Sequence, residues 1–134
     1  MPHQSADAKL TADFKGASTP HIWLHTGSPG ADGTANVAQL SAADIARKPI
    51  AFGAIANHVT NDERTILSDG AVEWTGAQID ASQEITHFSV WSALVAGTVL
   101  QIAAVTANKT TGSDGVTIAT EEIEIAITVF VKPA

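Results

Sequence analysis

The most regular pattern in the chain lies near its C-terminal end. In "EEIEIAITVFV", residues 121–131, Ile123, Ile125, Ile127, Val129 and Val131 alternate with Glu122, Glu124, Ala126, Thr128 and Phe130. A period of two sends successive side chains to opposite faces, so this segment predicts a half-buried strand. "HIWLH", residues 21–25, has the same period, with Ile22 and Leu24 facing one way and His21, Trp23 and His25 the other. Shorter apolar runs predict strands over 49–55, 64–67, 71–74, 85–92 and 98–106. "TGSDG", residues 111–115, carries the residues that tight turns require and predicts a hairpin-type turn between the last two strands. Short strands at near-regular spacing with polar turns predict an all-β fold, an antiparallel β-sandwich of jelly-roll-like kind.

Ahead of the strands the period is different. Residues 5–16 predict a short helix, capped by Ser5, with Asp7 in its first turn and Lys15 and Gly16 at its end. Leu10 and Phe14 are four apart and share one face. So short a helix is marginal alone in water and needs a surface to pack on, either its own domain or another subunit. This divides the chain into an N-terminal arm or short helix, 1–20, and one sandwich domain, 21–134. "VAQLSAADIARK", residues 37–48, fits a loop with one helical turn. There is no internal repeat.

Composition narrows the function. Of 134 residues, 45% are hydrophobic, enough for a core. Only 16% are charged, against about 25% in a typical soluble domain, so much of the surface is Ala, Thr, Ser, Gly and Asn and suits burial against partners. The net charge of -7 repels phosphate backbones, and Arg47 and Lys48 are the one adjacent basic pair, so no direct nucleic-acid binding is expected. The absence of cysteine excludes disulfides and thiol chemistry. The N-terminal residues do not read as a signal peptide. Residues 85–107 contain no Asp, Glu, Lys or Arg and are long enough to span a bilayer. His87, Gln101 and Gly97 interrupt them, however, so two buried strands joined by a turn explain the run better than a membrane helix, and no membrane partner is expected.

Each candidate for chemistry fails on spacing. His21 and His25 have the i, i+4 spacing of a helical zinc pair, but the intervening glutamate is missing and the period is that of a strand. At a rise of roughly 3.3 Å per residue they stand about 13 Å apart, too far to share one ion. "GSPGADGT", "SDGA" and "GSDG" hold Asp beside Gly without the alternating ligands and closing glutamate of a calcium loop, and read as turns. There is no G-x-S-x-G elbow and no phosphate-binding glycine loop. Glu73, Asp80 and Glu84 offer carboxylates, but no spacing marks a glycosidase pair. Trp74 and Trp91 lie among apolar neighbours in strand patterns and read as core anchors. No enzyme activity, metal or cofactor is expected.

A resemblance then emerges. "TPHIWLHTGSPGADGTAN" resembles the opening strand and loop of a family of small virion proteins of tailed bacteriophages. "ARKPIAFGA", "GAVEW", "ITHFSVWSA", "AGTVLQ" and "KTTGSDGVTIATEEIEIAI" follow in that family's order, covering about residues 16–130. The family is described as tail-fibre protein, and similar short β-sandwich proteins decorate capsids. Departures from its pattern are the long insertion "NHVTNDERTILS" and the "WSALVAGT" loop, both at positions where partners are contacted. The family brings no catalytic residues.

The resemblance implies a structural virion protein, assembled in the host cytoplasm. The first expectation is a capsid decoration (minor capsid) protein that binds the outer lattice of the major capsid protein and stabilises it by mass action and multivalency. The alternative is a tail or tail-fibre component with a tail protein as partner. A third reading, a lectin-like glycan-binding sandwich, is weakened by an aromatic content of 5%. Lattice symmetry implies a homotrimer. The expected contact residues are Leu10 and Phe14, on a segment that either clasps a partner or packs on its own sandwich, with Asp32 in the first loop and Arg64 in the insertion.

Overall fold

Ala6, Leu10 and Phe14 recur at a helical spacing, and helix α1 (His3–Phe14) turns all three into the protein interior. The computed structural model describes residues 3–16, 19–40, 46–57 and 63–128. Ser5 lies inside α1 and not at its cap, so the helix begins two residues before its expected start. It packs against the strand Glu63–Asp69, and Lys15, just beyond its end, donates to the Gly53 carbonyl at 2.6 Å. The segment expected as an arm is thus docked on the sandwich.

The remainder is an antiparallel β-sandwich, as the alternations predict. The strands are β1 (His21–His25), β2 (Arg47–Pro49), β3 (Ala51–Phe52), β4 (Ala56–Asn57), β5 (Glu63–Asp69), β6 (Val72–Trp74), β7 (Glu84–Trp91), β8 (Val99–Thr110), β9 (Val116–Ile118) and β10 (Glu124–Thr128). One sheet has the order β2-β1-β7-β8, the second β10-β5-β3 with β4 also on β5, and β6 pairs with β9 as a separate ribbon. Between them lies one apolar cluster: Ile22, Leu24, Phe88 and Val90 from the first sheet, Phe52, Ile66 and Ile125 from the second, Val72, Trp74, Val116 and Ile118 from the ribbon, and Leu10 and Phe14 from α1. Each such side chain, fully buried, stabilises the fold by about 1.5–3 kcal/mol. Among the described residues no helix is long and apolar enough to cross a membrane, and residues 85–107 form β7, a loop and most of β8.

Two expectations change. The run 49–55 is not one strand. β2 pairs with β1 and β3 with β5, so the chain changes sheets at Ile50, beside a proline that has no N–H to continue a ladder. The turn at 111–115 forms, with Gly112 and Gly115 exchanging backbone hydrogen bonds of 3.2 and 3.0 Å, but it does not close a hairpin. β8 belongs to the first sheet and β9, which the pattern did not predict, to the ribbon. The Thr111 hydroxyl donates to the Asp80 carbonyl (2.7 Å), which ties the chain to the 80–83 loop before it turns away. Val129, Phe130 and Val131, and residues 41–45 of the expected loop at 37–48, lie outside the described residues.

Candidate functional site

In the first sheet His21 stands opposite Trp91, Trp23 opposite Ser89, and His25 opposite His87. Opposed residues of an antiparallel ladder share a face, so all six lie on the side away from the main core. β2 adds Arg47 opposite Trp23, and β8 adds Ile102 opposite Ser89. The alternation of β1 marks this as the polar side. It is instead a second packed layer, in which His25 is 0% exposed and Arg47 and Trp91 are buried. The cover is the loop at 26–36, which folds back across the sheet. Gly33, at φ +75°, lies so close that a Cβ there would sit 3.1 Å from both Trp91 and Val99. Only glycine meets both the backbone angle and the space.

Arg47 is the centre of the layer. Its guanidinium lies 3.9 Å from the Trp91 ring centroid and 4.7 Å from that of Trp23, and the two rings meet edge to face at 6.0 Å. Nη1 donates to the carbonyls of Ala93 (3.1 Å) and Ala96 (2.7 Å). Burial lowers the Arg47 pKa, yet an arginine keeps its charge at neutral pH. Ring faces and carbonyl dipoles take the place of a carboxylate partner. The cation thereby fixes the loop at 92–98 from behind. That loop is also closed by Ser92 N–H to the Thr98 carbonyl (2.9 Å) and Thr98 N–H to Ser92 Oγ (2.8 Å), with Ala96 and Gly97 both at positive φ. At its tip Leu94 is 38% and Val95 73% exposed, the exposed large hydrophobic side chains among the described residues. A rigid base with an apolar tip is a geometry for contact with another protein.

Beneath the loop at 26–36 runs a chain of hydrogen bonds, each 2.8 Å long. Trp91 Nε1–H donates to Ser89 Oγ, the Ser89 hydroxyl donates to His25 Nε2, and His25 Nδ1–H donates to the Ala35 carbonyl. The acceptors assign a neutral His25 with its proton on Nδ1. Burial holds this histidine below its ordinary value of 6.5; the bond to Ala35 opposes that shift and nearby His87 adds to it. Above 6.5 the ring is neutral whether the chain is folded or not. Below 6.5 the unfolded chain binds a proton that the folded chain resists, so stability must decline as pH falls. Urea midpoints measured between about pH 6.5 and pH 5 are expected to fall, and His25→Gln is expected to flatten that slope while lowering stability at neutral pH.

The residues expected to make contacts are not brought together. Leu10 and Phe14, 0% and 4% exposed, face the chain's own core, where Phe14 meets Phe52 edge to face at 5.3 Å. Arg64 holds α1 to β5: Nε and Nη2 donate to the two carboxylate oxygens of Asp7 at 2.7 and 2.9 Å, and this bonding raises the Arg64 pKa. Its fork is engaged within the chain because α1 docks directly over β5. Asp32 is exposed, and its Oδ1 accepts from Thr34 N–H at 3.3 Å, shaping its own turn. His21 bonds the Thr19 carbonyl through Nδ1, and His25 has both ring nitrogens occupied by protein partners. Among the described residues no group of three or more His, Asp or Glu is placed to hold a metal ion. Glu73, Asp80 and Glu84 are exposed. The sequence singled out the loop at 91–98 as a place of contact but gave no sign of Arg47 beneath it. The signal for the layer around it was present in Trp23 and Trp91, bulky rings on the second face of amphipathic strands, where water-exposed side chains are the rule.

The site is thus a β-sandwich face with a buried aromatic and polar layer and one exposed apolar loop tip, at Leu94 and Val95. Residues 7–126 match the family model of the podophage GP4 fiber I protein gp80, and the chain belongs to that family. It is a phage structural protein. No curated protein matches it.

Proposed function

We propose that the chain is a subunit of the fibre or tail of a tailed-bacteriophage particle, built into the virion in the host cytoplasm, and that it acts by contact with a tail protein and catalyses nothing. The family match over 7–126 carries this reading and favours the fibre position over capsid decoration on the major capsid protein. The geometry supports a contact role. The 92–98 loop is pinned by Arg47 and presents Leu94 and Val95, so ordering it on binding costs little entropy. Among the described residues every aromatic ring is buried or half-buried, which leaves no exposed platform for stacking a sugar. The charge of -7 opposes direct contact with nucleic acid.

Separation of purified particles into heads and tails tests the reading. The chain is expected in the tail fraction, at the small copy number that tail symmetry sets. Recovery with the head shell, in proportion to the major capsid protein, would restore the decoration reading and sink the fibre one.

A further inference from the structure

Residues 26–36 cover the second layer, and their internal bonds make the loop a unit. At its neck Thr26 N–H donates to the Asn36 carbonyl at 2.8 Å. Inside it Ala35 N–H donates to the Pro29 carbonyl (2.9 Å), Gly33 N–H to the Gly30 carbonyl (3.2 Å) and Asn36 Nδ2 to the Ser28 carbonyl (2.8 Å). Among the described residues, residues 27–35 are joined to the chain outside the loop by one hydrogen bond, from His25 Nδ1–H to the Ala35 carbonyl. Gly33 adds close packing over Trp91 and Val99. A segment held so lightly can lift as one body without breaking its own bonds.

His25 is the group beneath the loop whose charge changes near neutrality. It is 0% exposed, as is Ser89, whose single hydroxyl proton goes to His25 Nε2 while its oxygen accepts from Trp91 Nε1–H. A proton arriving at Nε2 makes both ring nitrogens donors. Ser89 Oγ then faces two donors, and its own proton loses its acceptor. Among the described residues no buried carboxylate faces the new charge. β7 sets His87 opposite it, and β2 brings the Arg47 cation into the same layer while Lys48 turns to the other face, over Trp74. β1 adds His21 at its far end. β8 sets the uncharged Ala104 opposite His87, and its Lys109 is paired with Glu122. The carboxylates of the loop and of β7, Asp32 and Glu84, are exposed to water.

We propose that residues 26–36 are a proton-operated lid: protonation of His25 in mild acid lifts them off the first sheet and uncovers Trp91 and Arg47 at the base of the Leu94–Val95 loop. Lifting gives the imidazolium and the Ser89 hydroxyl to water for the loss of one hydrogen bond and the Gly33 packing, and it leaves both sheets intact. In water a histidine takes up its proton near 6.5, and burial holds His25 lower while the loop is shut. The lifted state is therefore favoured as pH falls below about 6.5, by at most about tenfold per pH unit for one proton. It adds a tryptophan face to the contact loop, so the chain presents more apolar surface in mild acid than at neutrality. The lid is a property of the purified chain and does not depend on where the chain sits in a virion.

Amide exchange followed by NMR on the full chain, between about pH 7.5 and pH 5, tests it. Protection of the 27–35 amides, corrected for the intrinsic exchange rate, is expected to fall about threefold or more between about pH 6.5 and pH 5. The amides of β5, which open only with the whole fold, are expected to stay much better protected throughout. His25→Gln is expected to make loop protection independent of pH, and His87→Asn to leave the dependence in place. Loop protection that does not change while the His25 ring takes up its proton would overturn the inference. So would loop and β5 amides exchanging together, or an acid dependence that survives His25→Gln. If His25→Gln does not fold, the wild-type comparison of the loop with β5 decides alone. A shut lid in a chain recovered with the tail fraction would overturn the lid alone and leave the fibre reading standing.

Discussion

Replacing Arg47 with alanine is expected to cost about 2–3 kcal/mol and to free the 92–98 loop. The guanidinium lies over two tryptophan rings and satisfies two loop carbonyls. A desolvated cation–π contact is worth about 2 kcal/mol, and a hydrogen bond to a charged group about 1.5–3 kcal/mol. Release of the burial cost of an arginine without a carboxylate offsets part of this. Arg47→Lys keeps the charge but loses the planar stack and the fork, and is expected to recover less than half of the loss. Urea unfolding gives the energy. Hydrogen exchange at the amides of Ala93 to Thr98 gives the local effect: faster exchange there, ahead of global opening, is expected for Arg47→Ala. Unchanged exchange at those amides would show that Arg47 does not hold the loop.

A larger loss, about 3–5 kcal/mol, is expected for Trp74→Ala. Trp74 is 0% exposed and the largest fully buried side chain of the core. Removing the ring opens a cavity in the apolar cluster that relaxation closes only in part. On one side Lys48, held to the Glu73 carbonyl and to Gln78 Oε1 at 2.6 and 2.7 Å, lies over the ring at 5.7 Å. On another, Gly115 at φ +87° approaches the Trp74 carbonyl so closely that a Cβ there would overlap it. Trp74 is the largest of four ribbon side chains in the core, with Trp74 opposite Val116 and Val72 opposite Ile118. Thermal and urea unfolding both read the effect. A loss below about 1 kcal/mol would mean that the ribbon is held by its hydrogen bonds and not by the core.

Much of this architecture was legible in the alternation, and the parts that were not have identifiable reasons. Ile22 and Leu24, or Ile123 and Ile125, declare a core-facing side because a strand buried on one face must alternate. The sheet change at Ile50 is silent in a run of apolar residues. Its cause, the pairing of Arg47 to Pro49 with β1 and of Ala51 to Phe52 with β5, is long-range. β9 has 3 residues, too few to show a period. The outer layer was hidden for a different reason. His25, Ser89 and Arg47 are polar, and polar residues on alternate positions signal water. They are buried because the loop at 26–36 lies over them and because each finds a partner, which no local pattern records. The pattern at Leu10 and Phe14 left two surfaces open, a partner or the chain's own sandwich. Leu10 and Phe14 carry the right pattern for a docking face, and the face they dock on is their own sandwich. The apolar tip at Leu94 and Val95 lies in the "WSALVAGT" loop that the sequence marked for contact, while the Arg47 bonding that holds this loop is long-range and leaves no local pattern.

The proposed role is that of a fibre-class structural subunit working through contacts. A cryo-electron microscopy map of the intact particle tests it most directly. Density for this sandwich is expected in a tail appendage, with the 92–98 loop against a neighbouring subunit. The same density spread over the outer capsid lattice, or absent from the particle, would contradict it.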